Sequence, residues 1–139
     1  MKIDQTTLTL KPKPRGFHLI TDEIKNALSG LQNFETATLH LFLQHTSASL
    51  CLNENADPTV RQDLEALFGD LCDDKSYYRH TLEGPDDMPA HAKAVMIGPS
   101  LTLPVTDGRM NLGTWQGIYL AEHRNSAGSR RVVATLSGV

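Results

Sequence analysis

An α+β fold is the class this sequence predicts. Strands and helices come in mixed order, two helices open on a proline, and the last third reads as antiparallel strands. Thr6-Thr7-Leu8-Thr9-Leu10 alternates and is β-branched, a half-buried strand ended by Lys11-Pro12-Lys13-Pro14-Arg15-Gly16; Phe17 to Ile20 is a second, short strand. Thr21 followed by Asp22 and Glu23, with Ile24, Ala27, Leu28 and Leu31 at helical spacing, predicts a helix from Asp22 to Gly30 with Thr21 as its cap. Ala37 to Leu43 suits a central strand, with His45 just past its end, and Ser49 to Leu52 reads as its partner, delivering Asn53 and Glu54 to the same neighbourhood. Asp57-Pro58 starts a helix whose apolar stripe is Val60, Leu64, Leu67, Phe68 and Leu71. Asp73 to Asp87 is a long polar loop carrying His80. Pro89 to Ile97 is a third helix, closed by Gly98-Pro99, with His91 in its first turn. The remainder reads as a meander: Leu101 to Val105, a turn at residues 106–109, Thr114 to Glu122, and Arg131 to Leu136. The expected architecture is a single domain over residues 1–139, with mixed or antiparallel sheets in a sandwich-like arrangement and about three helices.

A chain of 139 residues can bury a sizeable core without a staple. A hydrophobic fraction of 40%, a charged fraction of 21% and a net charge of -3 describe an ordinary globular protein with no general attraction for polyanions, so nucleic acid is not an expected partner. No apolar run approaches a membrane span and no secretory start is present, so the expected location is cytoplasmic. Cys51 and Cys72 lack Cys-x-x-Cys spacing and read as reduced, buried thiols.

Chemistry concentrates in three histidines set among acids and amides. His45, His80 and His91 each stand at an element end or in a loop, whereas His18 and His40 lie in or beside apolar strands and are assigned to structure. Three neutral imidazoles satisfy a catalytic zinc that keeps one position open; the same residues also suit a metal-free acid/base cluster, and both readings stand. Glu54, Asp57, Asp86 and Asp87 are candidates to hold Mg²⁺ on a phosphorylated ligand, against bland readings as a helix cap for Asp57 and solvated loop for the others. Trp115 in Leu112-Gly113-Thr114-Trp115-Gln116-Gly117 offers a face for a planar ligand, or plugs the core or a subunit interface; Gln116 is the better functional candidate. Arg124, Arg130 and Arg131 form a basic group in which Arg124 and Arg131 are the candidate anchors for an anionic substrate.

The motifs His45-Thr46-Ser47-Ala48-Ser49, Asn53-Glu54-Asn55-Ala56-Asp57-Pro58, Asp87-Met88-Pro89-Ala90-His91 and Leu112 to Gly117, spread over nearly the whole chain, closely resemble the YjbQ family of secondary thiamine-phosphate synthases. The resemblance implies a homotrimer with sites near subunit boundaries and a weak ability to join a pyrimidine diphosphate to a thiazole phosphate. It stresses His45, His80, His91, Gln116 and Glu122, and His123 less. The expected site is thus His45, Glu54, Asp87, Gln116 and Glu122 for catalysis, Arg124, Arg131 and Trp115 for ligand binding, and His45, His80 and His91 for zinc or another divalent metal, with Mg²⁺ on the diphosphate. A strand Arg131 to Leu136 with an apolar edge is a further reason to expect a partner subunit. The alternatives are a metal-assisted hydrolase, or a non-enzymatic trimer that binds a metal or small anion. No glycine-rich phosphate loop of a recognised kind is present.

Overall fold

The computed structural model describes residues Met1–Val139 as three layers. The strands are β1 (Lys2–Leu10), β2 (Gly16–Leu19), β3 (Thr36–Leu43), β4 (Ala48–Glu54), β5 (Ser100–Thr106), β6 (Arg109–Met110), β7 (Gln116–Glu122) and β8 (Arg130–Gly138). The helices are α1 (Thr21–Ala27), α2 (Pro58–Cys72) and α3 (Asp87–Ile97), with a short 3-10 turn over Leu31–Asn33. A five-stranded sheet, ordered β1-β8-β3-β5-β6, packs on a three-stranded sheet, ordered β2-β7-β4, and all pairings are antiparallel. The α+β class therefore holds. No helix is long and apolar enough to cross a membrane.

Alternation builds the core. On β3, Ala37, Leu39, Leu41 and Leu43 point inward and Thr38, His40 and Phe42 outward; on β8, Val132, Ala134 and Leu136 point inward. These side chains meet Leu50, Ile118 and Leu120 of the smaller sheet, and each fully buried Leu contributes about 2 kcal/mol of transfer free energy. The other face of β7 presents Tyr119 and Ala121 to Phe17, Leu64 and Phe68 beneath the helices. Gly117 is required where it stands, since a Cβ there would lie 2.5 Å from Leu19 and 3.0 Å from Asn55.

Several local expectations are corrected. The segment after β3 does not fold back as a hairpin: β4 crosses to the other sheet and pairs with β7, while β3 lies between β8 and β5. The last third is no meander, because β7 leaves β6 for the smaller sheet and β8 inserts between β1 and β3. Arg131 to Leu136 thus has neighbours on both sides and supplies no bare edge. Thr21 does not cap α1; its hydroxyl accepts the Ile118 amide at 2.9 Å, and the helix ends at Ala27 rather than Gly30. Asp57 caps α2 as expected, its carboxylate accepting the Thr59 amide at 2.9 Å. Leu64 and Phe68 of the α2 stripe are packed, whereas Leu67 and Leu71 stay about half exposed. Gly98 closes α3 at φ 101°.

Candidate metal centre and its supports

At the end of the smaller sheet where β4 begins and β7 finishes, α3 brings Asp87 and His91 together one turn apart, and the loop before the helix folds His80 onto them. His80 Nε2 lies 2.6 Å from Asp87 Oδ2, His91 Nε2 lies 3.4 Å from the same oxygen, and the two imidazole centroids are 5.4 Å apart. One ligand atom from each of His80, Asp87 and His91 falls within 4.8 Å of the others, and a tetrahedral ion bound at about 2.0–2.2 Å would draw them to about 3.5 Å apart.

Hydrogen bonding makes the fit more specific. His91 Nδ1–H donates to the Thr46 carbonyl at 2.8 Å, which fixes the tautomer and turns the Nε2 lone pair toward Asp87. Two acceptors then face each other across 3.4 Å, an arrangement that calls for a cation or proton between them. Asp87 is 1% exposed and is held from behind: Arg124 Nη1 donates to its Oδ1 at 2.6 Å, while Arg124 Nε donates to Asp86 at 2.8 Å. Burial alone would raise the Asp86 carboxyl, yet the Asn125 amide and the Arg124 guanidinium outweigh it and hold the group below its usual range. The same contact with Asp86 raises Arg124 further, against its partial burial.

Behind Arg124 stands an ion pair joining the two sheets. Arg130 Nε and Nη2 donate to the two Glu122 oxygens at 2.7 and 2.6 Å, Nη2 also reaches Ser47, and Glu122 accepts the Arg124 amide at 3.1 Å. Glu122 is 0% exposed with both oxygens engaged, so in this chain it is a strut that holds Arg124 and the Ser47 segment in place. His45 stands beside this pair and outside the His80–Asp87–His91 group: its Nε2 accepts the Arg131 amide at 2.9 Å. Burial, then the charges of Arg130 and Arg131, lower its pKa and keep the ring neutral.

On the helix-facing side of β7, His123 is 1% exposed and its Nε2 is 2.9 Å from the Ser49 hydroxyl. Burial, with the charges of Lys93, Arg130 and Arg15, depresses its pKa to about 3. Lys93, also 1% exposed, pairs with Asp73 at 3.0 Å, and Asp73 in turn binds Arg15 at 2.5 Å. This chain of charges, buried at Lys93 and a quarter exposed at Asp73 and Arg15, ties α3, and with it Asp87 and His91, to the end of α2.

The remaining candidates lie elsewhere. Glu54, Trp115 and Gln116 sit at the opposite end of the β4–β7 pair, about 20 Å away along six residues of strand. Gln116 Oε1 accepts the Gly113 amide at 2.8 Å, Trp115 is 65% exposed, and Glu54 Oε2 is buried without a partner. Trp115 therefore does not plug the core. The Arg131 side chain is exposed on the outer face of the larger sheet, on the opposite face from Arg130. His40 stacks on Phe42 on that outer face, and His18 contacts the Pro14 carbonyl, both away from the His80–Asp87–His91 group. Cys51 and Cys72 are free thiols whose pKa values burial raises, to about 11 for Cys51. Lys93 and Arg130 escaped the sequence reading as site supports; for Arg130 the signal was strand parity, since Val132, Ala134 and Leu136 already placed even positions inward.

Comparison with known proteins agrees with the resemblance in the motifs. The family model "UPF0047 protein YjbQ-like" matches residues 6–139. The UPF0047 protein YjbQ of Salmonella typhimurium is 60% identical over 134 residues, 96% of this chain and 97% of that one. YugU of Bacillus subtilis is 35% identical over 117 residues, covering 84% and 86%. Among solved structures, a conserved hypothetical protein from Thermus thermophilus aligns with TM-score 0.79 at 37% identity, covering 92% of this chain and 97% of that one. A protein of unknown function from Sulfolobus solfataricus shares the fold, with TM-score 0.87 at 20% identity over 99% of each chain. By these matches the chain belongs to the UPF0047 YjbQ-like family.

Proposed function

We propose that this chain is a metal-dependent enzyme acting on a small phosphorylated metabolite, with His80, Asp87 and His91 as the protein ligands of one divalent ion. The observation that carries the reading is the pair of acceptors, His91 Nε2 and Asp87 Oδ2, held 3.4 Å apart by a tautomer fixed at Thr46 and a carboxylate fixed by Arg124. Two imidazoles and one carboxylate suit zinc or another first-row divalent ion better than Mg²⁺, which belongs with the diphosphate of a substrate. A bound ion would supply Lewis-acid polarisation of a phosphoryl or carbonyl oxygen. The chain's own part is to keep the three ligand atoms converged, with Arg124 orienting Asp87 and the Thr46 carbonyl orienting His91.

The reaction we propose for this site is the one the resemblance implies, transfer of a pyrimidine methylene from its diphosphate to a thiazole phosphate, in a homotrimer with sites near subunit boundaries. Such an assembly could bring the Glu54–Gln116 end of one protomer to the histidine end of another. Elemental analysis of purified protein, with the synthase assay run on the wild type and on Asp87→Asn, tests the reading. One divalent ion per chain, lost together with turnover in the variant, is the expected result. A metal-free protein with full activity removes the metal from the proposal, and metal binding without turnover leaves a binding protein.

A further inference from the structure

The His45 ring receives more donors than it can accept. The Arg131 amide donates to Nε2 at 2.9 Å, and Arg130 Nη1 lies 3.4 Å from Nδ1. A neutral imidazole has one lone pair and one N–H, so the short backbone bond takes the lone pair and Nδ1 carries the proton. Nδ1–H and Nη1–H then face each other as two donors. Arg130 has no other use for that nitrogen: Nε and Nη2 are taken by Glu122 and Ser47, while Nη1 meets only His45. The side chain is only 6% exposed, so its free donors are largely withdrawn from open water behind His45.

His45 also borders a cleft of about 290 Å³ shared with Thr46, His91, Ala94, Val95 and Pro99. Along one side of the Thr46 segment, therefore, His91 and Asp87 present facing acceptors, and along the other His45 and Arg130 present facing donors. The first arrangement suits a cation and the second an anion.

We propose an oxyanion subsite at His45 Nδ1 and Arg130 Nη1, taking a phosphoryl oxygen of the ligand while its remaining atoms lie in the cleft beside His91. Its anchor is not the pair expected from the sequence, because the Arg124 guanidinium is occupied by Asp86 and Asp87 and the Arg131 side chain lies on the outer sheet face. The subsite rests on the metal reading only for its neighbour, since its own donors are in place without an ion.

The test uses inorganic phosphate as the probe, titrated into histidine-¹⁵N-labelled protein with and without zinc. His45 should show the Nδ1–H tautomer, and its ring signals should shift on phosphate addition. His45→Gln, which keeps an acceptor near the Nε2 position and removes the Nδ1 donor, should weaken phosphate at least tenfold with an unchanged melting curve. His45→Asn, which keeps a donor near Nδ1, should stay within about threefold of wild type. An Nε2–H tautomer, no phosphate binding by the wild type, or equal affinity in His45→Gln overturns the subsite. Zinc bound alike by wild type and His45→Gln, with phosphate indifferent to residue 45, overturns the subsite alone. Failure to bind zinc, with phosphate still dependent on His45, overturns only the metal reading.

Discussion

At one end of the β4–β7 pair, Glu122, Arg124, Arg130, Asp86 and Asp87 satisfy one another in reciprocal ion pairs drawn from α3, β7, β8 and the loops between them. At the other end, Asn55 and Gln116 bind backbone groups of their own loop, and Trp115 projects outward. Both ends carry motifs of equal prominence in the sequence. Only the first brings side chains together in a group that could hold a metal; the second uses its amides to shape a loop and leaves the Trp115 ring 65% exposed. Motif density thus marks where backbone and side chains are constrained, and burial with reciprocity separates a reactive group from a shaped surface.

The sharpest test of that contrast is Asp87→Asn, which removes the shared ligand while keeping its shape. Metal content by elemental analysis and turnover should both fall by about a hundredfold or more. Glu122→Gln should act on stability first, costing about 3–5 kcal/mol in urea unfolding by leaving Arg130 buried without its counter-charge. Retention of wild-type stability would show that the two sheets do not depend on this pair at the histidine end.

Acid provides a third test. His123 is held neutral in the fold, with a pKa near 3 against 6.5 when free, so the unfolded chain binds a proton that the folded chain refuses. Its contribution is complete above pH 6.5 and is lost progressively down to about pH 3. Urea midpoints across that window should flatten in His123→Gln relative to the wild type, and parallel slopes would assign the acid sensitivity to other groups. At the opposite end, Glu54→Gln should lower turnover about tenfold with metal content and melting temperature unchanged. Unaltered turnover would confine the chemistry to the histidine end. The smallest effect belongs to Trp115→Ala, within about 0.5 kcal/mol of wild-type stability, because so exposed a ring adds little to the core.

Periodicity made most elements legible. The helix opened by Asp57-Pro58, the central position of β3 and the alternation of β8 follow from local pattern; α3 starts at Asp87, two residues before the expected Pro89, and it is Asp87 rather than His45 that joins His80 and His91. Pairing did not follow, because nothing local distinguishes a β4 that folds back on β3 from one that crosses to a second sheet. The distance between Glu54 and His45 has a simpler origin: β4 runs from Ala48 to Glu54, so its length alone carries Glu54 about 20 Å from the His45 end whichever sheet it joins. Arg130 and Arg131 show the reverse situation, since parity with Val132, Ala134 and Leu136 was enough to separate the buried guanidinium from the exposed one. Lys93 gave no such sign: its partner Asp73 lies on another helix end, and a lone Lys in an amphipathic helix reads as solvent-facing.

The place of β8 in the larger sheet carries a consequence for how the chain folds. It pairs with β1 from Lys2↔Gly138 to Leu10↔Arg130 and with β3 on its other side, so the N-terminal strand has no partner until the last strand has emerged. Closing so long a loop is entropically costly and puts the protein among slow, high-contact-order folders. During synthesis β2 and β4 must likewise wait for their shared partner β7, and β1 stays unpaired until β8 follows it. Refolding rate, more than final stability, should therefore respond to substitutions at the β1–β8 junction.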